Sequence, residues 1–516
     1  MSKRVDEYKP LLFTTTLRNP QRMKVFLKFL AKYDGQVLTN EVINSFVFDI
    51  ISQKKYVPTY VNSVSRLKKQ LLQEDVPFSK SDTLEIIQNS KQEHKEAGFD
   101  KGWASRFDTW FKFMKELGFV YYEMNKQIAI SETGNKLVLS NDEGFEHLEN
   151  QAFLNAFVKY QRKNPYRRIL NDNRPLILLL QVINELKNII GDSSAGINIA
   201  EIPLFICWKN DDYKELTNLI LDIRKKYGYT PSSEYIYQKC KDVLGLTKED
   251  EKRFKISNIT KELPDEFIRK MRLSGIISIR GMGRFIDINT LEIEKIKYIL
   301  SSYNKQYYFN SEKEYFDYMK TIDNELIKSD MVIKQTDEEK YKLFKKWVDA
   351  FEISDLKKEL LILTKSKSSS ENDILKFINE PLRLEFLTAI SLQKMYSDVV
   401  VLPNYSADDE GVPTSFATGG CPDIVCCDKR GNVLFEVTMI VGTQQCIREM
   451  NSITRHLSDY SEKSDAYSVF IAPKIHSDTI QFAKFVKFDK NLDIIPLDIE
   501  GFVKSFESYD SIWQYR

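Results

Sequence analysis

The sequence is poor in histidine and cysteine, with four of one and six of the other among 516 residues. No two cysteines take the CxxC spacing of a structural zinc site, and Cys426 and Cys427 are adjacent. In a chain this long the six read as reduced, mostly buried thiols, and the expected compartment is the cytoplasm. Long apolar runs are missing too. The best of them, "PLILLLQVI", is about half of the ~20 residues that span a bilayer, so no membrane role is expected. The opening "MSKRVDEYK" is charged and lacks the apolar core of a secretory signal. There is no GxxxxGK[ST] loop, and "NPY" at 164–166 falls short of NPPY. ATP-driven translocation and self-methylation are therefore unsupported.

What is present describes a folded chain. At 42% hydrophobic, 12% aromatic and 29% charged, it has the material for several cores and is not a disordered chain. Its length suits roughly two to four domains. The net charge of +1 hides an asymmetry, because residues 1–70 carry 13 Lys and Arg against 5 Asp and Glu. That excess sits in "RNPQRMKVFLK" and "SRLKKQ" with aromatics and hydroxyls between, a pattern that suits a polyanion.

Periodicity gives the organisation. "QRMKVFLKFLAKYDG" predicts a helix stopped at Gly35. "ASRFDTWFKFMKELGFVYYEMNKQIAISETGNKLVLS" predicts a helix ending near Gly118, two strands about Asn125–Lys126, and a helix from Thr133. A fainter copy runs through "DEFIRKMRLSGIISIRGMGRFIDINTLE". Helix followed by hairpin is the plan of a winged-helix domain, so two recognition subdomains are expected over 1–145 and 146–300. A helical linker would follow over 301–340. From 341 to 516, helices alternate with strands in an α/β domain with a mixed central sheet, making the chain α+β and multidomain.

The chemistry concentrates in "GGCPDIVCCDKRGNVLFEVT", residues 419–438. Two apolar strands flank the turn "DKRGN", where Gly431 supplies backbone freedom. Asp423 starts one strand and Glu436 ends its antiparallel neighbour, which brings the two carboxylates together. Paired acids among buried residues call for a cation, and oxygen donors suit Mg²⁺. Glu385 interrupts the apolar helix face "LRLEFLTAI" upstream. Downstream, Glu449 and His456 share a face of the predicted helix "QCIREMNSITRHLSDYS", whose packed side would be Ile447, Met450, Ile453 and Leu457. Singly, each of these side chains suits an ordinary solvated or turn position. Together they resemble the PD-(D/E)xK nuclease core, except that Thr438 stands where that pattern has its lysine.

"PDIV", "GNVLFEVT", "ITRHL", "VFIAPKIHSDT" and "IIPL" resemble the cleavage domain of the AlwI-type type IIS restriction endonucleases and their nicking relatives. In that group EVT replaces Glu-x-Lys, with a Glu and a TRH segment on the next helix. "TTLRNPQRM" and "LGFVYYEMNKQIAISETGNKL" extend the resemblance to the front of the chain. It implies recognition of a short asymmetric duplex site by residues up to about 300 and cleavage to one side. It implies catalytic Glu385, Asp423, Glu436, Glu449 and His456. One or two Mg²⁺ ions would lie on Asp423, Glu436 and Glu385. DNA contacts are expected from Arg18 and Arg22, with Lys24 and Lys28 on the phosphate backbone. A second catalytic domain, from a transient homodimer or a separate subunit, is needed to cut both strands, and a separate methyltransferase to protect host DNA. The alternatives are a strand-specific nicking enzyme, one subunit of a heterodimeric enzyme, or a non-catalytic winged-helix regulator.

Overall fold

A computed structural model describes the chain apart from residues 1–5, 11–12, 14–16, 18, 72, 74–75, 143, 192, 247–253, 329–330, 366–368 and 417–418. The architecture is α+β. Two compact units form: one of residues 1–71, 77–141 and 148–333, the other of 72–76, 142–147 and 334–516. No helix among the described residues is long and apolar enough to cross a membrane.

The first unit is mostly helical, around a core of aromatic rings. Helix Pro20–Ala31 starts on the Asn19 side chain, which accepts from the Gln21 N–H, with proline in the first turn. Its Phe26 meets Phe46 and Trp110 edge to face. Helix Trp103–Glu116 leads through Gly118 into the short antiparallel pair Val120–Tyr121 and Ala129–Ile130, then helix Glu132–Leu139. Gly118 sits at φ +70°, and a Cβ there would run into Met319. Helix Leu263–Arg272 is followed by a second hairpin, Ile277–Arg280 with Phe285–Ile288. Strand Ile197–Asn198, which the sequence did not signal, joins its Phe285–Ile288 edge to make three antiparallel strands. Of the stretch expected as a linker, helix Glu312–Met319 buries Tyr315, Phe316 and Met319 within this unit.

The second unit is built on a five-stranded mixed sheet. Its order is Ile494–Asp498, Asp465–Ala472, Gly431–Val437, Ile424–Cys427, Val400–Pro403. The first three strands pair in parallel and the last three antiparallel. Parallel pairing needs crossovers, and helices Met450–Ser461 and Ser477–Lys490 supply them. Alternation sorts the faces of Gly431–Val437. Leu434 joins Met450, Ile453, Leu457 and Phe470 in one buried cluster, while Phe435 meets Phe502 and Tyr515. Each fully buried large apolar side chain contributes about 1.5–3 kcal/mol, so the sheet is a firm platform for the acids at its end.

Three local expectations need correction. Gly431 has ordinary extended backbone; it is required because a Cβ would collide with the Asp465 carbonyl of the neighbouring strand. The helix predicted over 445–461 is two helices, Thr443–Arg448 and Met450–Ser461, broken at Glu449. Glu449 and His456 therefore do not ride one continuous helix. Ile447, expected on the packed side, is 63% exposed, while its neighbour Cys446 packs against the core that takes Met450.

Candidate active site

The hairpin delivers its two acids as the register requires. One step beyond the Phe435–Ile424 pair, Asp423 lies opposite Glu436. The Asp423 N–H donates to Glu436 Oε2 at 3.3 Å, and the Val437 N–H donates to Asp423 Oδ2 at 2.8 Å. Glu436 shares the Leu434 face of its strand, so it points toward helix Met450–Ser461. There Glu436 Oε1 meets His456 Nδ1 at 2.8 Å, both side chains being buried. With Nδ1 as the donor, the carboxylate fixes the ring's orientation and tautomer.

Glu385 lies on helix Glu380–Met395, which is started by the Asn379 cap with Pro381 in its first turn. It is only 3% exposed, and its Oε2 has no hydrogen-bond partner. Burial first, then the charges of Asp423, Glu146, Glu436 and Glu449, push the Glu385 carboxyl well above the carboxylate range. Burial also raises Asp423, with Glu436 adding to the shift; the Val437 N–H and His456 oppose it. The acids thus form one electrostatic cluster. Glu449, half-buried at the helix break, accepts from Thr438 Oγ1 at 3.1 Å.

The TRH segment divides by role. Thr454 is buried and donates to the Met450 carbonyl, Arg455 is exposed, and His456 alone reaches the acids.

Two members escaped the sequence reading. Glu146 belongs to the short segment 142–147 that groups with the second unit, and its charge bears on both Glu385 and Asp423. Nothing in "NDEGFEH" marks it, because its role comes from a tertiary neighbourhood. Tyr405 is the other: burial and then the Glu385 charge hold its phenol protonated far beyond the usual range.

A resident metal must fit this donor set. Among the described residues no three acid, histidine or cysteine side chains converge closely enough to hold an ion as they stand. The chemistry nevertheless fits a hard divalent cation. Asp423, Glu436 and Glu385 offer only carboxylate oxygens, and one of these is buried and orphaned.

The basic residues expected to touch DNA fare differently. Arg18 lies outside the described residues. Arg22 is exposed on the first helix, its guanidinium 5.8 Å from the Phe26 ring centroid, and Lys28 is half-buried. Lys24 is a correction. It is 5% exposed, its ammonium 2.6 Å from Glu149, and turned into the unit instead of toward a ligand.

The AlwI restriction endonuclease family matches residues 115–358 and 326–505, well over half of the chain. An acid cluster on a mixed sheet, in a chain so matched, defines a type II site-specific deoxyribonuclease. The chain belongs to the AlwI restriction endonuclease family. That membership sets aside the non-catalytic regulator. Among solved structures, the small subunit of the heterodimeric restriction endonuclease R.BspD6I is 28% identical over 30% of this chain and 76% of its own, with a TM-score of 0.25. Restriction endonuclease FokI is 12% identical over 98% of both chains, at a TM-score of 0.23. FokI bound to DNA is 12% identical over 99% of this chain and 97% of its own, at 0.21. No curated protein sequence matches.

Proposed function

We propose that the protein is a Mg²⁺-dependent type IIS enzyme that binds a short asymmetric duplex site and hydrolyses a phosphodiester bond to one side of it. The second unit would be the PD-(D/E)xK nuclease domain, and the two helix–hairpin segments of the first would be winged-helix readers of DNA. The observation that carries the reading is the Asp423–Glu436 pair, opposed across a hairpin with the orphaned carboxylate of Glu385 in its field.

Asp423 and Glu436 would hold the metal, and Glu385 would support a second ion or its waters. When bound, the ion supplies Lewis acidity and a water of lowered pKa. The chain's own groups do the rest. His456, oriented by Glu436, can carry a proton at its other ring nitrogen. Glu449, an acceptor, would orient the attacking water through the water's own O–H. Exposed Arg22 and half-buried Lys28 would neutralise phosphates, which predicts salt-sensitive binding. One such site cuts one strand; a second catalytic domain, from another copy or another subunit, completes a double-strand break, and without it the enzyme nicks. A separate methyltransferase would protect the host's DNA in the same cytoplasm.

The test is Asp423→Ala. Cleavage of plasmid DNA in Mg²⁺ should vanish while site-specific binding persists. Sequencing the ends left by the unaltered enzyme should give one fixed offset from one motif. Normal cutting by the variant, or a smear of random ends, refutes the assignment.

A further inference from the structure

Thr438 sits two residues past Glu436, on the same side of the chain as it leaves the strand. Its N–H continues the ladder, donating to the Ile471 carbonyl at 3.0 Å. The side chain is buried, at 8% exposure. A hydroxyl has one proton to give and two lone pairs to offer. The Ile440 N–H can only donate, and it takes one lone pair at 3.1 Å. The proton is thereby left for Glu449 Oε1, also at 3.1 Å.

Both neighbours of this hydroxyl are themselves fixed by Gln445, which is fully buried. Its Nε2 donates to the carbonyls of Ile440 and Lys474 at 2.7 and 2.6 Å, and its Oε1 accepts from the His476 N–H at 3.0 Å. Its backbone carbonyl accepts the Glu449 N–H at 3.0 Å. The Glu449 backbone is thus tied to Gln445, and the Thr438 hydroxyl is a contact that orients the carboxylate.

We infer that Thr438 is a positioning residue that fixes the orientation of the Glu449 carboxylate. The position where related nucleases carry an ammonium here delivers an oriented acid instead. The inference rests on the nuclease reading above. It differs from a purely structural role, in which Thr438 merely caps the turn at Ile440. A structural cap would cost stability whatever stands at 449, whereas a positioning residue loses its effect once Glu449 is gone.

The experiment is a double-mutant cycle on the full chain, read as single-turnover cleavage of supercoiled plasmid in Mg²⁺, with melting temperatures taken in parallel. Thr438→Val should slow cleavage by about tenfold or more. Thr438→Ser should stay within about threefold of the unaltered enzyme, because the hydroxyl is kept. Thr438→Val combined with Glu449→Gln should be no slower than Glu449→Gln alone. If Thr438→Val does not fold, Thr438→Ala takes its place in the cycle. Full activity in Thr438→Val, a Thr438→Ser as slow as Thr438→Val, or additive losses in the double variant would each overturn the inference. No cleavage by the unaltered protein would instead overturn the nuclease reading.

Discussion

Lys24 separates two accounts of the basic N-terminal helix, so Lys24→Met is the most informative single change in the first unit. The sequence places Lys24 among phosphate binders; the structure places its ammonium 2.6 Å from Glu149, with the two side chains 6% and 3% exposed. Glu149 has one further polar contact, Gln21 Nε2 at 3.4 Å, and its Oε1 is buried with no hydrogen-bond partner. Water cannot replace the lost cation at such burial. Removing one member of a buried pair typically costs about 3–5 kcal/mol, mostly the penalty of the stranded charge. Lys24→Met should therefore lower the urea midpoint of the first unit, and adding Glu149→Gln should recover most of the loss. DNA binding, followed by fluorescence anisotropy across a salt series, should keep its slope. A phosphate contact would behave otherwise, its loss reducing the slope of log K against log salt by about 0.9. A slope reduced by that amount with an unchanged urea midpoint would refute the buried-pair account.

Lys159 is buried near Asp323 and Glu132, and burial pulls its pKa down from 10.5 to about 8. Between those values the unfolded chain binds the proton that the folded chain has released, so stability rises with pH there. Relative to Lys159→Met, the unaltered protein should gain up to about 3 kcal/mol from pH 8 to 10.5 in urea titrations, and parallel profiles would refute this. Gly431→Ala places a methyl against the Asp465 carbonyl. It should destabilise the second unit by about 1–3 kcal/mol, and a variant as stable as its parent would show that the parallel strand pair can yield there.

Features set by short-range pattern could be read from the sequence. The hairpin at 424–437 follows from two apolar runs and a polar turn, and once its register is set Asp423 must face Glu436. Helix Trp103–Glu116 and its Gly118 stop follow from periodicity and a residue that tolerates φ +70°. Gly431 was legible as a special position but not for its reason. A turn glycine and a strand glycine crowded by a neighbouring carbonyl look alike until the neighbour, from residue 465, is known. Strand Ile197–Asn198 is two residues long and owes its state to the hairpin beside it.

The site was half legible on the same principle. Lys24 looked solvent-facing because Glu149 is far along the chain, and nothing local announces that an ammonium will be buried. Glu146 was invisible because its neighbours Glu385 and Asp423 come from elements far along the chain. Glu449 was seen as an acid but placed on an unbroken helix. The interruption falls at a residue whose N–H still donates to the Gln445 carbonyl and whose carbonyl still accepts from the Ile453 N–H, so no periodicity marks it. The Glu449 N–H is held by the Gln445 carbonyl and its carboxylate by the Thr438 hydroxyl. Thr438 can orient this acid because its short neutral side chain brings a hydroxyl within 3.1 Å of the Glu449 carboxylate oxygen.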